Sequence, residues 1–259
     1  MKNLLFLVIC FSYGINVYCQ ENGKYDFNIE YDMQLNLNGN INYKANLYFN
    51  NAQSLFEYQE TQFDDKEQTE KEVNKKIEEN NNASFNLRFK DTVRLSIKYN
   101  RNENLIKEFI KGSDSKFYQV TDSAPKLMWA ICEEHKKIDP YECTKATCSF
   151  GGRNYIAWFT TAIQTNFGPL KLHGLPGLII EMIDEKKEVM LSAKAVKREE
   201  KNIENDPIGT IIISRSEYQK IKADNVRKVE EILNRVTSKS ERGLKITTKI
   251  ISIKSIEMD

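Results

Sequence analysis

Nucleophilic hydrolysis needs a serine or cysteine beside a base, most often a histidine that a carboxylate orients. This chain of 259 residues has two histidines, His135 and His173. Neither stands in a serine, cysteine or zinc-protease motif, and the chain carries no phosphate loop and no dinucleotide fingerprint. No catalytic residue and no cofactor is assigned. Cys132, His135, Cys143 and Cys148 are ligand types that zinc takes in fours. They flank Asp139-Pro140, which reads as the turn of a hairpin. A turn around residue 140 sets Cys132 opposite Cys148, while His135 and Cys143 have the other parity and point to the other face. Four ligands divided between two faces cannot surround one ion, so no metal site is assigned. A cross-strand Cys132–Cys148 disulfide is expected instead, with Cys143 a small buried residue.

The residues that could bind a ligand lie just downstream. Arg153 and Trp158 have opposite parity in a strand from Arg153 to Thr161, so they should face opposite sides. Trp158 is expected to join Trp129 in the core. For Arg153 two readings stand: contact with an anionic ligand group, or an internal pair with an acidic side chain. His173 adjoins Gly174-Leu175-Pro176-Gly177-Leu178-Ile179. Pro176 presets φ for the second position of a β-turn, and Gly177 permits the positive φ that a type II turn needs at the third. Such a loop is either a tight structural corner or a place where backbone comes close to a ligand. The candidate ligand-binding residues are Arg153, His173, Gly174 and Gly177.

The hexapeptide GLPGLI resembles the family of exported Bacteroidetes proteins named after that string. Upstream, Tyr141, Cys143, Lys145-Ala146, Phe150, Gly152-Arg153, Ala157-Trp158 and Gly168-Pro169 follow in matching order. Cys132 and Cys148 depart from the family pattern. The resemblance spans roughly Trp129 to Asp184. It implies an exported protein without an established molecular activity, and an association with TonB-dependent outer-membrane uptake.

The remaining chain must position these residues. Lys2 and the apolar run Leu4 to Phe11 read as a signal peptide over residues 1–19, cleaved near Cys19-Gln20. That run is too short to span a bilayer, and no other segment approaches a transmembrane length. Residues 20–259 read as one domain. With 38 Lys+Arg against 37 Asp+Glu, net charge points neither to nucleic acid nor to an acidic membrane surface. Tyr25, Phe27, Ile29, Tyr31, Met33, Leu35 and Leu37 alternate with polar residues, the pattern of a strand with one wet face. Asn38-Gly39 turns it into a hairpin, and Asn50-Asn51 marks the next turn. The charged stretch 64–82 holds almost no apolar residue and reads as a mobile loop. Further strands are expected near residues 85–89, 93–99, 105–110, 116–120, 127–138, 141–150, 178–183, 189–195 and 244–256. Ser214 and Glu217 form a capping box before an amphipathic helix over residues 216–237.

The expected fold is α+β, mainly β: a large bent antiparallel sheet, half-barrel-like or an open barrel, with one C-terminal helix packed on it. The first functional reading is a non-enzymatic exported protein, periplasmic or extracellular, that binds a small ligand or an envelope partner. The alternatives are a hydrolase built around Arg153, His173 and the GLPGLI loop, and a purely structural envelope component. A deep groove favours the binder. A pocket uniting His173 with a carboxylate and a nucleophile favours the enzyme.

Overall fold

The computed structural model describes residues 23–37, 40–60, 84–85, 94–111, 116–204, 206, 208–238 and 247–248. The alternating segment at residue 25 forms β1 (Lys24–Leu35), and its antiparallel return is β2 (Ile41–Phe49). Then come β3 (Gln53–Glu60), the two-residue β4 (Ser84–Phe85), β5 (Arg94–Asn100), β6 (Leu105–Lys111) and β7 (Phe117–Ser123). A second run is β8 (Ala130–Ile138), β9 (Tyr141–Phe150), β10 (Arg153–Thr160), β11 (Leu178–Asp184) and β12 (Val189–Asn202). The chain continues through β13 (Ile211–Ile213), α1 (Arg215–Ser238) and the two-residue β14 (Thr247–Thr248).

Twelve of these strands form one sheet in the order β13-β7-β6-β5-β3-β2-β1-β12-β11-β10-β9-β8. β13 runs parallel to β7, and the other neighbours are antiparallel. The sheet is open, with β13 and β8 as its edges, and does not close into a barrel. Its centre is the pairing of β1 with β12, which joins the early meander to the later one. One face is apolar. Ile29, Tyr31 and Met33 of β1, Leu47 of β2, Ile97 of β5 and Tyr155 of β10 are all buried in a single core cluster. The opposite face carries the intervening polar residues, so the period-two pattern sorts the two faces as expected.

Local signals act where the sequence placed them. The Asn50 side chain accepts hydrogen bonds from the Ala52 and Gln53 amides at 2.9 Å each, which closes the β2–β3 turn. At the helix start, the Ser214 amide donates to Glu217 Oε2 at 2.7 Å and the Glu217 amide donates to Ser214 Oγ at 3.2 Å. This is a complete capping box. Tyr218, in the first turn of α1, packs on Ile110 and Val120, and Arg215 pairs with Glu108 and Asp122. Contact of α1 with the sheet is shown for this first turn, which is less than the whole-helix packing expected. The expected signal peptide 1–19, the expected Asn38-Gly39 turn, the charged stretch 64–82, all of 86–93 and most of 244–256 lie outside the described residues.

Three expectations are corrected. The first is the Cys132–Cys148 disulfide: Cys132, Cys143 and Cys148 are free. The β8–β9 hairpin pairs Lys136 with Cys143 and Ile138 with Tyr141, one residue off the expected register, and a bulge between Ile131 and His135 shifts it again. A one-residue slip in a strand exchanges its faces. Cys148 consequently lies in the core, while Cys132 sits half-exposed inside the bulge. The second correction is the type II turn. Gly151, Gly152, Gly174 and Gly209 take positive φ, and Gly177 does not. The third concerns Trp158, which is not a buried core residue but, like Trp129, is half-buried and packs against the margin of the main core. It stands half-buried on the polar face, opposite Arg153 as parity required.

Candidate functional site

β10 and β11 organise both candidate regions. Between them, residues 161–177 cross the apolar face of the sheet. Phe167, Leu170, Leu172 and Leu175 of this loop are buried in the main core. Phe167 meets Tyr99 of β5 edge-on with ring centroids 5.5 Å apart, and the His173 ring lies 4.6 Å from the same tyrosine. Lys171 reaches the buried carboxylate of Glu108 on β6 at 2.6 Å. That carboxylate also receives Arg215, so the loop is tied to the start of α1 through one shared acid. The loop's other end is anchored by Tyr31, whose hydroxyl donates to the Ile179 carbonyl at 2.7 Å. Burial raises the Tyr31 pKa, which keeps that donor protonated.

The glycines of the motif serve this packing. A Cβ on Gly177 would lie 2.1 Å from the Thr160 carbonyl oxygen, so the motif strand can only approach β10 here without a side chain. Gly174 holds φ at +93°, where its amide donates to the Asn166 carbonyl at 2.7 Å. His173 sits beside it. Its Nδ1 is 2.9 Å from the Lys171 carbonyl oxygen, and the Trp129 indole donates to the His173 carbonyl at 2.8 Å. Burial lowers the His173 pKa against the opposing pull of hydrogen bonds to the Lys171 and Pro125 carbonyls. The ring's polar neighbours are thus backbone oxygens, and the described hydrogen bonds place no serine, cysteine or carboxylate on it.

Arg153 lies at the far end of β10, roughly 23 Å from Thr160 at about 3.3 Å per strand residue. Its side chain is fully buried and its Nη1 donates to Asp184 Oδ2 and Glu188 Oε2, both at 2.7 Å. The other oxygen of Asp184 accepts the Glu188 and Val189 amides at 2.7 and 2.8 Å. One guanidinium and two acids thereby clamp the β11–β12 turn. The adjoining recess holds about 50 Å³, room for a few waters. Arg153 and His173 are therefore not brought together. Burial also pushes the Cys148 thiol up to about 12 and raises Cys143, which disfavours thiolate chemistry at either. Among the described residues no group of three or more His, Cys, Asp or Glu could hold a metal ion.

Open space is found on the other face, where sequence reasoning placed nothing. A groove of about 740 Å³ lies over β1, β2, β10, β11 and β12. Its floor follows the strand register. Lys44 stands beside Asp32, Asp32 beside Ser192, Ser192 beside Glu181, and Glu181 beside Trp158. A second row runs Asn42, Gln34, Met190, Ile183. At one rim Lys136 of β8 lays its ammonium over the Trp158 ring, 4.5 Å from the centroid, and pairs with Glu181. At the other, Lys44 pairs with Asp32 at 2.6 Å. The only sequence signal for this site was the parity that turned Trp158 away from Arg153. Which strands would be neighbours could not be read.

Residues 151–181 match the model of a family described as "Protein of unknown function (Porph_ging)", which is associated with Bacteroidetes. The matched span contains the whole GLPGLI hexapeptide, though the match does not carry that name. No curated protein matches the chain. Among solved structures it is similar to PNGF-II in two crystal forms, each with 15% identity and a TM-score of 0.48 over 76% of this chain. The chain spans 33% and 32% of the PNGF-II chain in the two forms, about a third of its length. An uncharacterized conserved protein from Thermus thermophilus shows 11% identity and a TM-score of 0.37, over 73% of this chain and 90% of that one. Likenesses at these scores carry no argument about function. Over residues 151–181, then, the chain is similar to a family of unknown function.

Proposed function

We propose that this chain is a non-catalytic binding protein of the bacterial envelope, exported by the segment 1–19, and that its ligand occupies the groove on the polar face. One observation carries the reading. The groove, at about 740 Å³, falls within the range of roughly 300–1,000 Å³ typical of ligand sites, and it combines an aromatic and aliphatic strip with a few fixed polar groups. The motif loop packs across the opposite face, and Arg153 and His173 engage separate sets of partners. The half-barrel-like curvature expected from sequence suits a carrier, and the family resemblance adds TonB-dependent uptake as the setting in which it would work. Fold-level likeness to carriers fixes no ligand.

The reading is tested by native mass spectrometry of protein purified from its own envelope fraction. A bound mass in the wild type that is missing from Trp158→Ala supports it. A bound mass that persists in Trp158→Ala but is lost on mutation of His173 would move the site to the loop. Amino-terminal sequencing of the same sample should begin near Gln20, and an intact Met1 would remove export from the proposal.

A further inference from the structure

We infer that the groove on the polar face takes an uncharged carbohydrate, an oligosaccharide lying across the strands. This names the ligand class of the site proposed above and rests on that reading. Charge comes first. The groove's ionic side chains are Lys44, Lys136, Asp32 and Glu181, two of each sign, and each has an internal partner of opposite sign. Asp32 is shared with Lys194 at 3.5 Å. An anionic or cationic ligand would have to break one of these pairs and leave its other member facing the wrong charge. A neutral polyol needs no such exchange, because the outer lone pairs and ammonium protons of intact ion pairs still accept and donate hydrogen bonds.

The arrangement of polar and apolar groups narrows the class further. Pyranose rings present an apolar C–H face and a rim of hydroxyls. The groove offers Trp158, Ile183 and Met190 on one side, and Asp32, Gln34 and Ser192 within a strand or two of them, held by sheet register rather than by loops. A lipid chain would strip water from that polar row and offer its remaining lone pairs and protons nothing in return, a desolvation cost that a polyol avoids. An extended peptide gains most of its affinity from a sheet edge, and this groove lies on a sheet face, whose backbone groups are already paired across β1, β12 and β11. Lys136 caps the tryptophan ring. Its side chain is 37% exposed, so it can move off the ring without burying an unpaired charge.

The experiment is a printed array of neutral and anionic oligosaccharides probed with the full chain. Native mass spectrometry and tryptophan fluorescence then follow on the best neutral probe, on a sulfated oligosaccharide, on a long-chain fatty acid and on an extended hexapeptide. Saturable binding of a neutral oligosaccharide, absence of the sulfated one, and a loss of about tenfold or more in Trp158→Ala are expected. If Trp158→Ala does not fold, the combined Gln34→Ala and Asn42→Ala variant, which alters one half-buried and one exposed position of the polar face, must show the same loss. No neutral hit on the array, a preference for sulfated glycans, or binding that survives both variants overturns the inference. Trp158-dependent binding of the fatty acid or the peptide overturns the carbohydrate class and leaves the binding reading intact. Wild-type protein that carries nothing from the cell and binds no probe ends both.

Discussion

The loop and the groove share two strands, β10 and β11, and they could hardly differ more in what their sequences advertise. The loop has the prolines, the glycines, the histidine and the hexapeptide that a family model detects. Phe167, Leu170, Leu172 and Leu175 are buried in the core, and Gly168 and Gly177 are required by close backbone contact. The groove is lined by Asp, Lys, Gln, Ser and Met at ordinary strand alternation, and it has about 740 Å³ of open space. A dense, particular motif can thus report a packing constraint. A loop packed across the apolar face of an open sheet has little freedom in residue type where it is buried, because each buried backbone group must find a partner and each buried side chain a fixed cavity.

The contrast breaks most sharply at Arg153. Arg153→Gln should lower unfolding free energy by about 3–5 kcal/mol, because it strands Asp184 and Glu188 beside a buried neutral side chain. Denaturant unfolding reads this, and ligand binding by the folded fraction should be unchanged. A stable Arg153→Gln protein that has lost its ligand would place Arg153 in a site after all. Next is Gly177→Ala, with an expected loss of about 1–3 kcal/mol from forcing a methyl against the Thr160 carbonyl. Gly174→Ala should cost less, about 1 kcal/mol, since its added Cβ meets nothing closer than 4.0 Å and only the backbone is strained. If Gly174→Ala proves the more damaging, steric approach is not what the second glycine of the motif provides.

Trp158→Ala sharpens the comparison from the other side. It should alter the thermal midpoint less than either Arg153→Gln or Gly177→Ala while removing ligand binding, the reverse of those two variants. Acidification tests the loop more gently. The folded-state pKa of His173 is lowered by burial, so below its ordinary 6.5 the unfolded chain binds a proton that the folded chain resists. Stability contributed by the neutral ring is present above about pH 6.5 and declines as pH falls toward the lowered folded value. His173→Gln should flatten that part of the pH–stability profile, measured by thermal unfolding in steps from pH 7.5 downward. The smallest effect is expected from reductant. With Cys132, Cys143 and Cys148 free, the midpoint should not move when reductant is added, and a drop would restore a disulfide.

Sequence alone determined the parts of this protein that depend on neighbours along the chain. Alternation from Tyr25 to Leu35 specified β1 and which of its faces is buried, because period two needs no knowledge of the partner strand. The Ser214–Glu217 pair located the start of α1, because a capping box closes within four residues. Where sequence failed, the deciding contact lay far away or the local signal was absent. β13 was missed because three consecutive isoleucines carry no period. The disulfide was misplaced because a bulge within Ile131–His135, invisible in composition, shifted the register. Gly177 was given a turn's explanation when the constraint came from Thr160, seventeen positions earlier. The groove could not be read at all. It exists because β1 pairs with β12, and that long-range pairing sets Asp32 beside Ser192 and Glu181 next in the row. Such pairings are chosen by burial of the whole apolar face at once, a property of the folded sheet rather than of any segment.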